Sequence, residues 1–382
     1  MVKWYIKTIN SFKQEGVVHM NNRKLVLENG QVFLGKGFGS LNETVAEIIY
    51  YTGVVGYQEM ISDPANCGKI VCMTYPLIGN YGLTDEDYES KHIATKGMVV
   101  REYNEIPSNF RYTRTLGEVM EENEVSGIEG VDTRSLMKII CKHGSMKALI
   151  CDIDKPLEEC MQVINEYQEE AKLVDLVTSK KVWYSRTPNP IYNVAVIDLG
   201  TKLNLIKGLN KVGCNVISFP CNTTKEEILK YKPSGLLISS GPGNPEALPE
   251  VVELVKSLIG VLPMYGVGLG HQIIGLAYGA NVYKMKCGHH GCNYPVRNLT
   301  NGRVEITSQN HMYTIDKDSI LKTKLVVTHE NVISGEIEGM TDVKNRVMTT
   351  AFEPITIIDE NTEDVFKKFI DIIKNGGGKK NA

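Results

Sequence analysis

The rhythm of apolar and polar positions changes once along this chain of 382 residues. In the first part the apolar residues come in short alternating runs, the pattern of half-buried strands. Such runs fall at Lys24 to Leu27, Gln31 to Leu34, Val45 to Tyr51 and Lys69 to Tyr75. Glu28-Asn29-Gly30 supplies a hairpin turn between the first two. Asp132-Thr133 ahead of Arg134 to Ile140 reads as a capped helix. The stretch from 152 to 190 is polar, rich in Glu and Lys, and closes on Arg186-Thr187-Pro188-Asn189-Pro190. It reads as helix plus linker and marks a domain boundary.

Beyond Tyr192, apolar runs of strand length alternate with amphipathic helical stretches. The predicted order is strand Asn193 to Asp198, helix Leu203 to Val212, strand Asn215 to Phe219 and helix Lys225 to Lys230. Strand Gly235 to Ser239, helix Glu250 to Ile259 and strand Pro263 to Val267 follow. Arg303 to Ile358 reads as antiparallel strands, and Thr362 to Ile373 as a final helix. The expected fold class is α/β: a β-rich N-terminal domain and a doubly wound, mainly parallel α/β domain. The boundaries are 1–22 for an N-terminal extension, 23–152 for the first domain and 153–190 for helix and linker. The second domain takes 191–375, and 376–382 reads as a flexible tail.

Composition narrows the function classes. Apolar residues make up 42%, charged residues 23%, and the net charge is -3 with both signs interspersed, which fits neither a nucleic-acid footprint nor a polybasic membrane patch. No apolar run is long enough for a membrane span, and no signal-peptide core is present, so a cytoplasmic location is expected. The nine cysteines are scattered through apolar segments and read as reduced thiols.

One segment carries the chemistry. Pro263-Met264-Tyr265-Gly266-Val267-Gly268-Leu269-Gly270-His271-Gln272 runs from an apolar strand through a tight glycine turn into a helix. This is the layout of a nucleophile elbow, which lifts one reactive side chain above a sheet. The central position, where Cys or Ser would stand, is Gly268. Glycine has no atom that can attack a carbonyl.

Four motifs occur in a telling order: Ser239 to Pro245 (SSGPGNP), the Gly266 to Gln272 elbow, Lys284 to Gly291 (KMKCGHHG) and Thr307 to His311 (TSQNH). Together they resemble a class I glutamine amidotransferase domain. Gly56 to Pro64 (GYQEMISDP), Thr74 to Asn80 (TYPLIGN) and Gly130 to Arg134 (GVDTR) are similar to the small subunit of carbamoyl-phosphate synthetase. The resemblance spans about Arg23 to Ile373. It implies a subunit that hydrolyses glutamine and passes ammonia to a large subunit, which uses ATP and bicarbonate to make carbamoyl phosphate. No cofactor is expected in this chain.

The family's catalytic trio is an elbow cysteine, a histidine base and a glutamate that orients it. By the resemblance these map to Gly268, Phe352 and Pro354, and no histidine follows His329. The pocket serine maps to Gly53, and a glycine after Asn-His maps to Met312, whose side chain is expected to crowd the substrate's place. Gly241, Gly243, Leu269, Gln272, Asn310 and Tyr313 remain as a remnant glutamine pocket. The expectation is a small-subunit homologue that docks the large subunit with its own glutaminase lost. Two alternatives stand beside it: glutamine hydrolysis by an unseen route such as Cys287 with His289 or His290, and a stand-alone pseudoenzyme that binds glutamine or a related small molecule.

Blander readings cover the remaining motifs. Gly266-Val267-Gly268-Leu269-Gly270 lacks the third glycine of a dinucleotide fingerprint, since His271 stands there. Cys287-Gly288-His289-His290-Gly291-Cys292 reads as a six-residue loop too short to wrap four metal ligands. Asp132-Thr133-Arg134 reads as a helix N-cap with a salt-bridged arginine.

Overall fold

The structure is a computed structural model and describes residues 21–354 and 365–375. Most of the expected N-terminal extension, the C-terminal tail and the start of the expected last helix lie outside the described residues.

Seven strands of the first domain close into a barrel in the order β1-β2-β8-β6-β4-β3-β9. These are β1 (Arg23–Leu27), β2 (Val32–Gly39), β3 (Thr44–Tyr51), β4 (Lys69–Met73), β6 (Gly97–Val99), β8 (Ser126–Glu129) and β9 (Met146–Asp152). Two short strands, β5 (Leu77–Ile78) and β7 (Glu102–Tyr103), pair outside it. Alternation sorts the side chains. Ala46, Ile48 and Tyr50 of β3 pack with Leu25, Ile70 and Ile150, whereas Ile49 packs on the other face with Tyr57 and Val71. Helix Thr133–His143 is capped by Asp132, which accepts from the Ser135 N–H at 3.0 Å. Arg134 is exposed and, among the described residues, forms no ion pair, contrary to expectation.

The second domain carries a ten-stranded sheet in the order β10-β12-β11-β13-β14-β19-β18-β17-β15-β16. Its parallel centre is β12 (Cys214–Pro220), β11 (Tyr192–Asp198), β13 (Gly235–Ile238), β14 (Met264–Val267) and β19 (Val347–Thr350). The antiparallel flank is β18 (Ile337–Asp342), β17 (Val326–Asn331), β15 (Val282–Asn298) and β16 (Val304–Ile315). Edge strand β10 (Trp183–Ser185) arises within the stretch read as helix and linker, after helix Leu157–Glu166. Val194 and Val196 of β11 face one core, with helices Leu203–Lys211 and Val365–Asn375. Ala195 and Ile197 face the other, with helices Pro249–Leu258 and Leu269–Ala277. Helices on both faces of a parallel centre are the doubly wound arrangement.

Two expectations need correction. The Cys287 to Cys292 segment is no loop but lies inside the 17-residue strand β15, which is irregular there, with register shifts at Lys284/His289 and Gly291/Tyr294. The strands after Arg303 are not all antiparallel, because β19 runs parallel to β14. Neither was legible locally, since pairing partners are set by residues far away in the chain.

The candidate active site

The elbow keeps its shape without its side chain. Gly268 has φ 54° and ψ -112°, and its N–H donates to the Thr350 carbonyl at 2.9 Å. That conformation strains any residue with a Cβ, and glycine adopts it freely. A Cβ at residue 268 would stand 3.2 Å from the Cβ of Ser240. The next turn of helix Leu269–Ala277 sits close to strand β13, for a Cβ at Gly270 would meet the Ile238 carbonyl oxygen at 2.2 Å.

Beside the elbow, at the seam between the domains, lies a cavity of about 320 Å³. Gly241, Gly243, Leu269, Gln272, Asn310, Met312 and Tyr313 all line it. Gly53 does not, and it lines no other cavity described here. The ring of Tyr51 covers it, so that a Cβ at residue 53 would meet ring carbon Cε1 at 2.3 Å. The expectation for Gly53 is corrected accordingly.

The polar groups of the cavity wall are largely committed to one another. The Asn310 amide donates to Asp63 Oδ2 at 2.8 Å and to Asn66 Oδ1 at 3.0 Å, while its Oδ1 faces His290 Nδ1 at 2.7 Å. Gln272 Nε2 donates to the Tyr313 carbonyl at 2.6 Å. The Met312 sulfur lies 3.0 Å from His290 Nε2, so its side chain does extend into the site. Burial pulls His290 and His311 down to about 4, and both imidazoles are neutral at pH 7.

Charges that no motif announced also line the cavity. Glu47 of β3 accepts from Lys69 Nζ at 2.6 Å, Lys284 Nζ at 2.5 Å and Ser145 Oγ at 2.7 Å. Lys69 also pairs with Glu169. Burial acts to raise the Glu47 carboxyl, but the two ammonium groups outweigh it and hold it at about 2. Glu47 inside an apolar strand and Lys69 at the head of another were the available sequence signals.

The positions mapped to the base and its orienting acid lie apart from this cavity. Phe352 is buried in the core, edge-on to the His329 ring with centroids 5.4 Å apart. Pro354 lines a second cavity of about 370 Å³, next to Glu353 and Lys202. Glu353 is the carboxylate that segment does supply, and it was missed. It pairs with Lys202 Nζ at 3.1 Å, and Lys202 also reaches Asp63 Oδ2 at 2.7 Å.

Cys287 lines neither cavity. Its thiol contacts the Ile140 carbonyl at 3.5 Å, and burial pushes its pKa up to about 12, which removes the thiolate a nucleophile requires. Cys292, by contrast, is exposed at the second cavity, 3.2 Å from the Tyr51 hydroxyl. The two cysteines and the His pair do not converge: His289 turns instead toward His311 and Glu338.

The family model for the carbamoyl-phosphate synthase small chain, CPSase domain, matches residues 25–150, and that for class-I glutamine amidotransferase matches residues 195–372. The chain is 41% identical over 353 residues to the carbamoyl phosphate synthase pyrimidine-specific small chain of Bacillus subtilis, covering 92% of this chain and 96% of that one. It is 40% identical to the protein of the same name from Halalkalibacterium halodurans, over 92% of this chain and 97% of the relative. A carbamoyl phosphate synthase small chain of Bacillus cereus is also 40% identical, over 92% and 96%. No described helix is long and apolar enough to cross a membrane.

Proposed function

The chain belongs to the carbamoyl-phosphate synthase small-chain family, and from that premise we propose that it is a non-hydrolysing small subunit which docks a large synthetase subunit. The observation that carries this reading is Gly268 at the tip of an intact elbow. Acyl transfer from glutamine needs a nucleophile above the sheet, a base to take its proton and a group to orient that base. Residue 268 has no side chain, residue 352 is a phenylalanine in the core, and residue 354 is a proline. In a serine protease, loss of such a triad lowers turnover by roughly 10^6-fold. The ring nitrogens of His290 and His311 are engaged by Asn310, Met312, Gln309 and the Tyr313 carbonyl, and no cysteine, serine or threonine lines the cavity.

In this reading the subunit acts by binding. It supports synthesis from free ammonia, with ATP chemistry confined to the large subunit. The seven family positions still gathered around the cavity support retention of a small-molecule site, with glutamine or a related amino acid as the ligand class. The internal bonds of Asn310 and the bulk of Met312 weaken it for glutamine.

The test is ammonia release from glutamine by the purified protein, alone and with its host's large subunit, alongside a pull-down of that subunit. Co-purification, carbamoyl phosphate from added ammonium and no glutamine hydrolysis are expected. Glutamine hydrolysis at an ordinary small-chain rate would overturn the reading.

A further inference from the structure

Behind the wall formed by Asn310 and Met312, three strands bring together four donor groups: His289 on β15, Gln309 and His311 on β16, and Glu338 on β18. Glu338 is fully buried, at 0% exposure. Its Oε1 accepts from Asn331 Nδ2 at 3.4 Å, but its Oε2 has no hydrogen-bond partner. A buried carboxylate oxygen left in this state is costly.

The neighbours add more electron density at the same point. His311 Nδ1 faces the Tyr313 carbonyl at 2.9 Å, a bond the imidazole can make only as donor. In the neutral ring that leaves a lone pair on Nε2, 3.3 Å from Gln309 Oε1 and 3.8 Å from Glu338 Oε2. His289 Nδ1 lies 2.6 Å from Gln309 Oε1, to which it can only donate, and 3.4 Å from Glu338 Oε1, so a cation bound here takes the place of the Nδ1 hydrogen. The ligand atoms of His289, His311 and Glu338 all fall within 4.8 Å of one another.

We propose that this cluster is a divalent transition-metal site of the zinc class, with His289, His311 and Glu338 as ligands and the Gln309 carbonyl oxygen in the fourth position. The donor set suits zinc, which takes imidazole and carboxylate in tetrahedral geometry. Supporting groups are in place: the Tyr313 carbonyl fixes the His311 tautomer, and Asn331 holds the carboxylate. Stacking of the His289 ring on Tyr294, with centroids 4.7 Å apart, fixes the second imidazole. With four protein ligands and no open position, the ion is structural: it ties β15, β16 and β18 together behind the cavity wall. This site is independent of whether glutamine is hydrolysed.

The experiment uses the full chain, stripped with a chelator and dialysed against zinc ion. One equivalent of zinc per chain is expected, with a zinc-dependent rise in melting temperature. Glu338→Gln, nearly isosteric, is expected to weaken binding at least tenfold and to abolish that rise. Should that variant fail to fold, His289→Asn gives the same readout. Cobalt substitution separates this cluster from the nine cysteines, since the expected spectrum is that of a tetrahedral nitrogen and oxygen set without thiolate charge transfer. No zinc bound by the wild type, unchanged binding in the variants, or a thiolate band each overturns the proposal. A water molecule donating to Glu338 Oε2 would then be what satisfies that atom.

Discussion

In the proposed reading the elbow at Gly268 and the turn at Phe352 to Pro354 each stand where a catalytic group is absent, and the two differ in what their residues do instead. At the elbow the backbone keeps the left-handed bend, the bond to Thr350 and the close approach to β13. Only the side chain is gone. At the turn the replacement has acquired a packing role: Phe352 is core, wedged against His329, and Glu353 is held in an ion pair with Lys202. One site is an intact support without a reactive atom. The other has been absorbed into the fold, so restoring the residue type there disturbs what now holds the domain together.

That contrast can be broken most directly by chemistry. Gly268→Cys is expected to leave glutamine hydrolysis at background, roughly 10^6-fold below a competent triad, because no base stands by the new thiol. Ordinary turnover by that single variant in an ammonia-release assay would show that the base was never lost. Stability gives the next largest effect. Phe352→Ala is expected to cost about 3–5 kcal/mol in denaturant unfolding, as for other buried aromatics. A loss under 1 kcal/mol would mean that residue 352 had not been recruited into the core.

The charged wall of the cavity beside the elbow offers a smaller, pH-resolved test. Glu47 is held at about 2 in the folded state against 4.5 as a free carboxyl. Its stabilising contribution is therefore present above 4.5 and is lost as the pH falls toward 2, on the order of 3 kcal/mol in all. Denaturation midpoints measured from pH 6 to pH 3 are expected to fall less steeply in Glu47→Gln than in the wild type. Parallel pH profiles would sink the assignment of that wall to ion pairing.

Much of this was legible in the chain because it is local. Period-two runs mark β1 and β3, strand and helix alternate from Tyr192, and an apolar strand meets glycines at Val267-Gly268. That residue 268 is a glycine, with no reactive side chain, is a plain fact of the sequence. Other features were misread for lack of partners. Cys287 to Cys292 looked like a loop because its glycines hide a strand whose pairing lies in β16. Gly53 was expected at the pocket because the family's serine maps there, and the sequence does not tell that the ring of Tyr51 turns over it.

The sequence by itself determined the two-domain α/β architecture, the family and the absence of a reactive atom at the elbow. These rest on side-chain identity and on hydrophobic spacing within single elements, which act over a few residues. Only the tertiary structure decided which polar groups meet: Glu47 with Lys69 and Lys284, Asp63 with Lys202 and Asn310, and Glu338 with His289 and His311. Those meetings join residues far apart in the chain. They depend on sheet register and on how the barrel seats against the second domain, quantities that emerge when separate hydrophobic faces are buried together.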